Sequence, residues 1–523
     1  MAKHPEAPSR DQFARYLDDY PATFDLWRAG EAGLYRLLAS LNIHPVALQR
    51  EQAQKVGPHL TAMMLHSAHH NQVGIVVAWA LQHMLGRATE ADPPFEELER
   101  AFEVAGTYWS LKNVMADVYL GTRGFEAKGR KIRIPYVGNA AFEATDRLLE
   151  TLDGVMSMPQ RPPDAFAGLR AWEQREGRDI PWEGVPLEMR EELRAFARSI
   201  AEKGESYFDP SLDVGGFTMA DAEKVLLELF ARAWHAAAQI MRGSVRADVV
   251  LPAIPRQTLI GNFALATRVP RDHVEKIVDL LTVNLAACSD PCLTPIVPLP
   301  NGRLAPMSSL ITPGAMIRNF TARIQLDHTR FGEAGRLLGL LGSRTVAETL
   351  RRRLTGAKVA ERIKLFHPNG QQAGDFDVVA FDPAANEVVV FEVVWRISLD
   401  GSADVGDLER RAHSKRDQVR ELRQKLAAGA QPRWPSGWLV PKDATYRWFI
   451  LTPSILPALM HEEADVPVRS HQVLARFRWP GTSVADMVDA LLNPPPPPPE
   501  LSATEWVGAR YGRYEVLVEA LRA

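Results

Sequence analysis

The stretch from Gly374 to Arg396 reads GDFDVVAFDPAANEVVVFEVVWR, and the reading of the rest of the chain turns on it. It holds two strand-like runs. Phe376 to Phe381 is rich in Val and Phe, and Glu387 to Trp395 is nearly all apolar. The turn residues Asp382-Pro383-Ala384-Ala385-Asn386 lie between them, so the spacing predicts a hairpin whose second strand is buried on both faces. Asp377 opens the first strand and Glu392 sits late in the second. A carboxylate inside a run as apolar as VVVFEVVW is costly to bury unless something pairs with it. Two such carboxylates on adjacent strands can converge on one hard cation, which takes oxygen ligands. Asp375 shares the strand face of Asp377 by the period of two. It reads either as an outer or second-cation ligand or as a turn residue after Gly374.

The flanks extend the pattern. A helix-like stretch, Arg344 to Leu354, and a short strand, Ala360 to Phe366, come before the hairpin. A helix of about Leu408 to Ala427 and a strand, Tyr446 to Thr452, come after it. This αβββαβ order, with Asp in the second strand and Glu in the third, resembles the catalytic core of the PD-(D/E)xK nucleases, the restriction-endonuclease-like superfamily. The resemblance covers roughly Leu337 to Leu456, and because the motif is short, element order carries as much weight as the residues. It implies a Mg²⁺ or Mn²⁺ ion at Asp377 and Glu392 and hydrolysis of phosphodiester bonds in DNA, with RNA as the second choice. Restriction, repair and anti-phage defence are the settings it suggests.

One position departs from the family pattern. The signature ends Glu-x-Lys, where the lysine orients and activates the attacking water, but this chain has Glu392-Val393-Val394. Valine can do neither. Lys415, in the string SKRDQVREL of the following helix, is the candidate to have taken over that task. Gln418 matches a polar helix position that members of the superfamily place near the metal, and Glu348 matches an acidic position that some bring to the site. If Lys415 does not serve, the expectation is a catalytically inactive nuclease fold that binds nucleic acid or docks a protein. The plain structural alternative is an α/β domain whose buried Glu is satisfied by a Lys or Arg from a neighbouring helix.

At 523 residues and 46% hydrophobic content the chain has material for several cores. The expected class is α+β multidomain, with mainly helical N-terminal regions followed by the α/β domain. The divisions read as a helical domain at 1–157, a connection at 158–185, a helical region at 186–325, the nuclease-like domain at 326–460 and an extension at 461–523. A net charge of −3 gives no global basic signal, so nucleic-acid contact has to be local. Arg344 to Lys364 carries seven Lys or Arg against two Glu, and Glu409 to Leu426 carries seven against three acids. Such helices can track phosphates, or be solvated faces with i,i+4 pairs.

Two cysteines, Cys288 and Cys292, make neither a zinc site nor a disulfide framework. The N-terminal MAKHPEAPSRDQF lacks an apolar run, and Val73 to Leu81 is too short to span a bilayer, so the expectation is a cytoplasmic protein with no membrane partner. Thr61 to Leu85 and Pro94 to Tyr119 are apolar at helical spacing. His66 and His70 stand at i and i+4 there, with His69 beside them, but no carboxylate completes an HExxH-like string, and packing or surface roles are favoured. Gly129 to Val137 reads as a basic strand that touches a backbone or edges a small sheet. Pro186 to Met241 forms a second helical block. Arg256 to Thr282 has helix-turn-helix spacing with Arg271 to Leu281 as the second helix, and ordinary packing is favoured over DNA reading. Pro300-Asn301-Gly302 predicts a β-hairpin, Pro494 to Pro499 a stiff spacer, and Tyr514 to Leu521 a final helix. No phosphate-cradling GxxxxGKS loop is present. The helical regions are left to hold substrate or a protein partner.

Overall fold

The computed structural model describes residues 7–56, 60–90, 95–121, 123–137, 171, 175, 179–201, 210–287, 290–312, 316–326, 332–395, 402–453, 456, 459, 465–476, 482–493 and 504–521. The N-terminal part is helical, as the periodicity predicts: α1 (Arg10–Asp19), α2 (Gly30–Val56), α3 (Leu60–Met84) and α4 (Phe95–Leu120). Ser9 caps α1 through a capping box with Gln12, the side chain of each accepting from the other's backbone N–H. Strands β1 (Glu126–Lys128) and β2 (Lys131–Ile134) follow. Most of the expected connection at 158–185 lies outside the described residues. Its end packs on the helical block, because Trp182 is buried beside Ala231 of α6 (Met219–Met241) and Leu193 of α5 (Leu187–Ala201).

After the short β3 (Ile254–Pro255) come α7 (Arg256–Thr267) and α8 (Arg271–Leu281), joined by a turn with Arg268 in the left-handed region. Val274, Ile277, Val278, Leu280 and Leu281 of α8 are buried, and Arg256 pairs with Glu275 and Asp279 at 2.7 Å each. Glu275 and Asp279 of α8 are thus engaged with the N-terminal end of α7, a packing contact. Strands β4 (Ile296–Leu299) and β5 (Arg303–Pro306) form the expected hairpin around Asn301 and Gly302.

The second half is built on α9 (Met316–Leu326), α10 (Gly332–Arg353), β6 (Lys358–Phe366), β7 (Gln372–Asp382), β8 (Glu387–Val393), α11 (Ser402–Ala427), β9 (Gln431–Pro432), β10 (Thr445–Thr452) and β11 (Val468–Ser470). The predicted αβββαβ succession is there in order. The sheet runs β11-β10-β8-β7-β6-β9, with β6, β7 and β8 antiparallel and β10 parallel to β8. On one face, Val379, Phe381, Val388 and Val390 join Ala412, Val419 and Leu422 of α11 in an apolar cluster. On the other, Val378, Val389 and Phe391 join Val346 and Leu350 of α10 and residues of α12 (His471–Arg476) and α13 (Val484–Leu492). That double cover explains why β8 reads as continuously apolar. The expected boundary at 460 falls inside this unit, since β11, α12 and α13 complete it.

The C-terminal helix expected at Tyr514 to Leu521 is a strand. β12 (Thr504–Tyr511) and β13 (Tyr514–Leu521) form a hairpin, and β13 pairs parallel with β2. Tyr514 and Val516 are buried and Val518 partly so, a period of two that the apolar density of YEVLVEAL hid. β2 is thus interior in a β1-β2-β13-β12 sheet, not an edge. The polyproline run lies outside the described residues. Among the described residues no helix is long and apolar enough to cross a membrane.

Candidate active site

Register places the two carboxylates side by side. Val378 faces Phe391 and Asp382 faces Glu387, and the same register carried one step on sets Asp377 opposite Glu392. The Asp377 Oδ2 accepts a hydrogen bond from the Val393 backbone N–H at 2.8 Å, which fixes its orientation. Glu392 lies on the α11 side of the sheet, only 1% exposed.

Helix α11 is fastened over this point from several directions. Its buried Arg416 donates to the Val466 carbonyl, while Arg420 and Arg423 hold Asp465. Farther along, Lys425 donates to the Ala373 carbonyl at 3.1 Å, and Leu422 packs so close to Gly374 that a Cβ there would lie 2.5 Å from its Cδ2. On the opposite face, Gly342 of α10 sits flush on Trp395, where any Cβ would collide with the indole. These contacts pin both the helix and the end of β8.

The side chain this delivers is Lys415. Its Nζ lies 2.7 Å from Glu392 Oε2 and 3.2 Å from Asp377 Oδ2. Burial, reinforced by the negative charge of Asp377 and opposed by Lys415, pushes the Glu392 carboxyl up to about 8. Burial alone would lower Lys415, but the charges of Glu392 and Asp377 outweigh it and hold the ammonium protonated. The arrangement is asymmetric. Among the described residues Glu392 Oε1 is buried and accepts no hydrogen bond, and Asp377 stands close enough to share a proton with this carboxyl. An orphaned carboxylate oxygen is normally resolved by a proton, a water or a cation.

The other predicted residues stand farther out. Asp375 is exposed and pairs across the strands with Lys364. Gln418 is exposed on α11, three positions after Lys415, and Glu348 is exposed on α10, whose buried residues cover the opposite face of the sheet. Val394, at the lysine position of the family signature, is 9% exposed and belongs to the apolar cluster with Ala412. The described residues contain no group of three or more His, Cys, Asp or Glu able to hold a metal. Two carboxylates and an unpartnered oxygen nonetheless suit Mg²⁺ or Mn²⁺ in kind, since Mg²⁺ is commonly held by one or two carboxylates and keeps several waters. His66 and His69 lie on α3, but their side chains are outside the described residues.

The sequence missed how much of α11's charge is internal. Of the seven cations between Glu409 and Leu426, Lys415, Arg416, Arg420, Arg423 and Lys425 are engaged with the protein. A buried Arg416 in RRAHSKRDQVREL was the available signal, because it stands one turn from both Ala412 and Val419. The chain matches no protein-family model, no curated protein and no solved structure.

Proposed function

We propose that this chain is a metal-dependent nuclease of the PD-(D/E)xK kind that hydrolyses phosphodiester bonds in nucleic acid, DNA in the first place. The observation that carries the reading is the meeting of Asp377, Glu392 and Lys415, from two adjacent strands and the following helix, around an unsatisfied carboxylate oxygen.

Asp377 and Glu392 would hold a Mg²⁺ or Mn²⁺ ion. Such an ion supplies Lewis-acid polarisation of the phosphodiester and lowers the pKa of a bound water. The chain's own groups do the rest. Asp377, tethered to the Val393 N–H, offers a preoriented oxygen. Glu392, whose burial makes an uncompensated carboxylate unfavourable, holds a proton in the absence of a cation and would give it up to hold one. Lys415 is an ammonium on a flexible stem, so it can leave the carboxylates and donate to a phosphate oxygen as negative charge develops there. It thereby does what Val394 cannot. Restriction, repair or defence are settings in which such an activity would serve.

A second reading has its own support. Lys415 bridging both carboxylates is also what a closed structural ion pair looks like, and then the domain binds nucleic acid or a protein without cutting. Cleavage assays with Mg²⁺ or Mn²⁺ on single- and double-stranded DNA and RNA separate the two. Wild type is expected to cut, and Asp377→Ala, Glu392→Ala and Lys415→Ala to lose about a hundredfold or more in rate. Full activity in the Lys415 variant would remove it from the mechanism, and metal-independent or absent cutting by wild type would favour the second reading.

A further inference from the structure

One feature of β6 lies beside the carboxylates without belonging to them. Five described residues other than glycine have positive φ: Asp179, Arg268, Asn301, Arg362 and Asn386. Arg268 ends a helix, Asn301 and Asn386 sit in turns, and Asp179 precedes α5 outside any strand. Arg362, at φ 56°, is the one among them inside a strand. A left-handed Arg costs conformational energy that the surrounding ladder has to hold, and such positions cluster at binding and catalytic sites.

Its place in the register is the second observation. Glu361 faces Val378 and Ile363 faces Phe376, so Arg362 lies across from Asp377, with no ladder pairing recorded at that step. Arg362, Asp377 and Glu392 therefore form one row across β6, β7 and β8. Alternation breaks at the same row: Ala360 and Ile363 pack on the α11 side of the sheet, and so do Phe376 and Val379. The distortion thus falls at an exposed arginine whose backbone stands in the row of the two carboxylates.

That guanidinium is uncommitted, in contrast to three other cations of α10 and β6. Arg351 is paired with Glu361, Arg353 donates to the Ala475 carbonyl, and Lys358 donates to the Gly437 carbonyl. Arg362 makes no ion pair among the described residues. An arginine fork held next to a site for phosphodiester chemistry suits the non-bridging oxygens of a phosphate.

We propose that Arg362 binds a backbone phosphate of the nucleic acid beside the scissile bond, fixing the strand relative to Asp377 and Glu392. The proposal rests on the nuclease reading for the identity of the ligand. It gives a use to an arginine that stands where glycine would fit without strain.

The test uses the full chain with Arg362→Gly, Arg362→Ala and Arg362→Lys. Binding to a duplex DNA oligonucleotide is measured as a function of salt in Ca²⁺, with cleavage measured separately in Mg²⁺. Arg362→Gly is expected to melt at the same temperature as wild type or higher, yet bind several-fold more weakly, with a salt slope reduced by about one. Arg362→Lys should recover part of the binding, and cleavage should fall in parallel with occupancy. Variants that bind with the wild-type slope overturn the proposal even where wild type cuts DNA. A wild type that binds with an Arg362-dependent slope but never cuts sinks the nuclease reading and leaves the phosphate contact standing. Wild type that binds neither DNA nor RNA overturns both.

Discussion

Two buried glutamates in this molecule meet cations carried by helices, and they end differently. Glu228 of α6 is 2% exposed and both its oxygens are taken, Oε2 by Arg194 at 2.6 Å and Oε1 by Arg232 at 2.9 Å. Arg232 is itself held over the rings of Trp182 and Phe263. Glu392 is as deeply buried, but Lys415 takes one oxygen and the other is left open, with Asp377 close enough to repel. The first cluster is closed: planar guanidinium forks in fixed positions satisfy a carboxylate completely. The second is held by a point charge on a mobile stem and keeps an acceptor in reserve. Burial of a charge does not distinguish a structural pair from a reactive one, whereas the state of the last lone pair does.

The sharpest break of this comparison is a stability measurement. Glu228→Gln removes the buried charge shared by Arg194 and Arg232, leaving Arg194 only the exposed Glu191 and Arg232 only the distant Glu183, and is expected to cost about 3 kcal/mol in urea unfolding. Glu392→Gln replaces a carboxyl that burial already holds protonated up to about pH 8 and leaves Lys415 paired with Asp377, so its loss should be well below that. Equal losses would mean that the Glu392 cluster is a closed structural pair after all.

The pH dependence sharpens the same contrast. Glu392 is raised from its ordinary value to about 8, so between roughly pH 4.5 and 8 the folded chain holds a proton that the unfolded chain has released. Its contribution is therefore fully present at low pH and is lost as pH climbs through that window, by at most a few kcal/mol. Lys415 stays charged throughout. Urea midpoints measured from pH 5.5 to 8.5 should show this decline in wild type and not in Glu392→Gln. Saturating Mg²⁺ should flatten it, because the cation takes the place of the proton. A midpoint indifferent to both would mean that neither proton nor cation uses the open oxygen.

Much of this domain was legible because its signals are local. VVVFEVVW could be read as a strand covered on both faces, DPAAN as its turn, and the Asp377–Glu392 match followed once the hairpin closed. Lys415 was reachable from element order, since the helix after a hairpin has few places to pack. What was not read depends only in part on distant partners. β13 pairs with the adjacent β12 across a tight turn whose signal was missed, and also with β2, nearly four hundred residues earlier, which no window of the sequence could show. Arg362 escaped notice for a different reason: its side chain is ordinary for an exposed strand, and only its backbone conformation is not. The charge run of α11 left a phosphate track and a solvated face both open, because charge density does not say which cations the protein itself engages.

The smallest expected effect tests whether the lysine has truly moved. Val394 lies on the Glu392 face of β8, two residues on, and borders the apolar cluster beneath α11. A lysine there can run its stem along that cluster and bring its head toward Asp377, so Val394→Lys should cost only about 1 kcal/mol. If Lys415 already supplies the ammonium, the added one is redundant and crowds a like charge, and cleavage should change by no more than a few-fold. In the Lys415→Ala background the same substitution should restore activity, because the chemistry needs one ammonium near the two carboxylates and is indifferent to whether strand or helix carries it. A large gain from Val394→Lys alone, with Lys415 intact, would show that Lys415 is a clamp on the carboxylates, much as Arg194 and Arg232 are on Glu228.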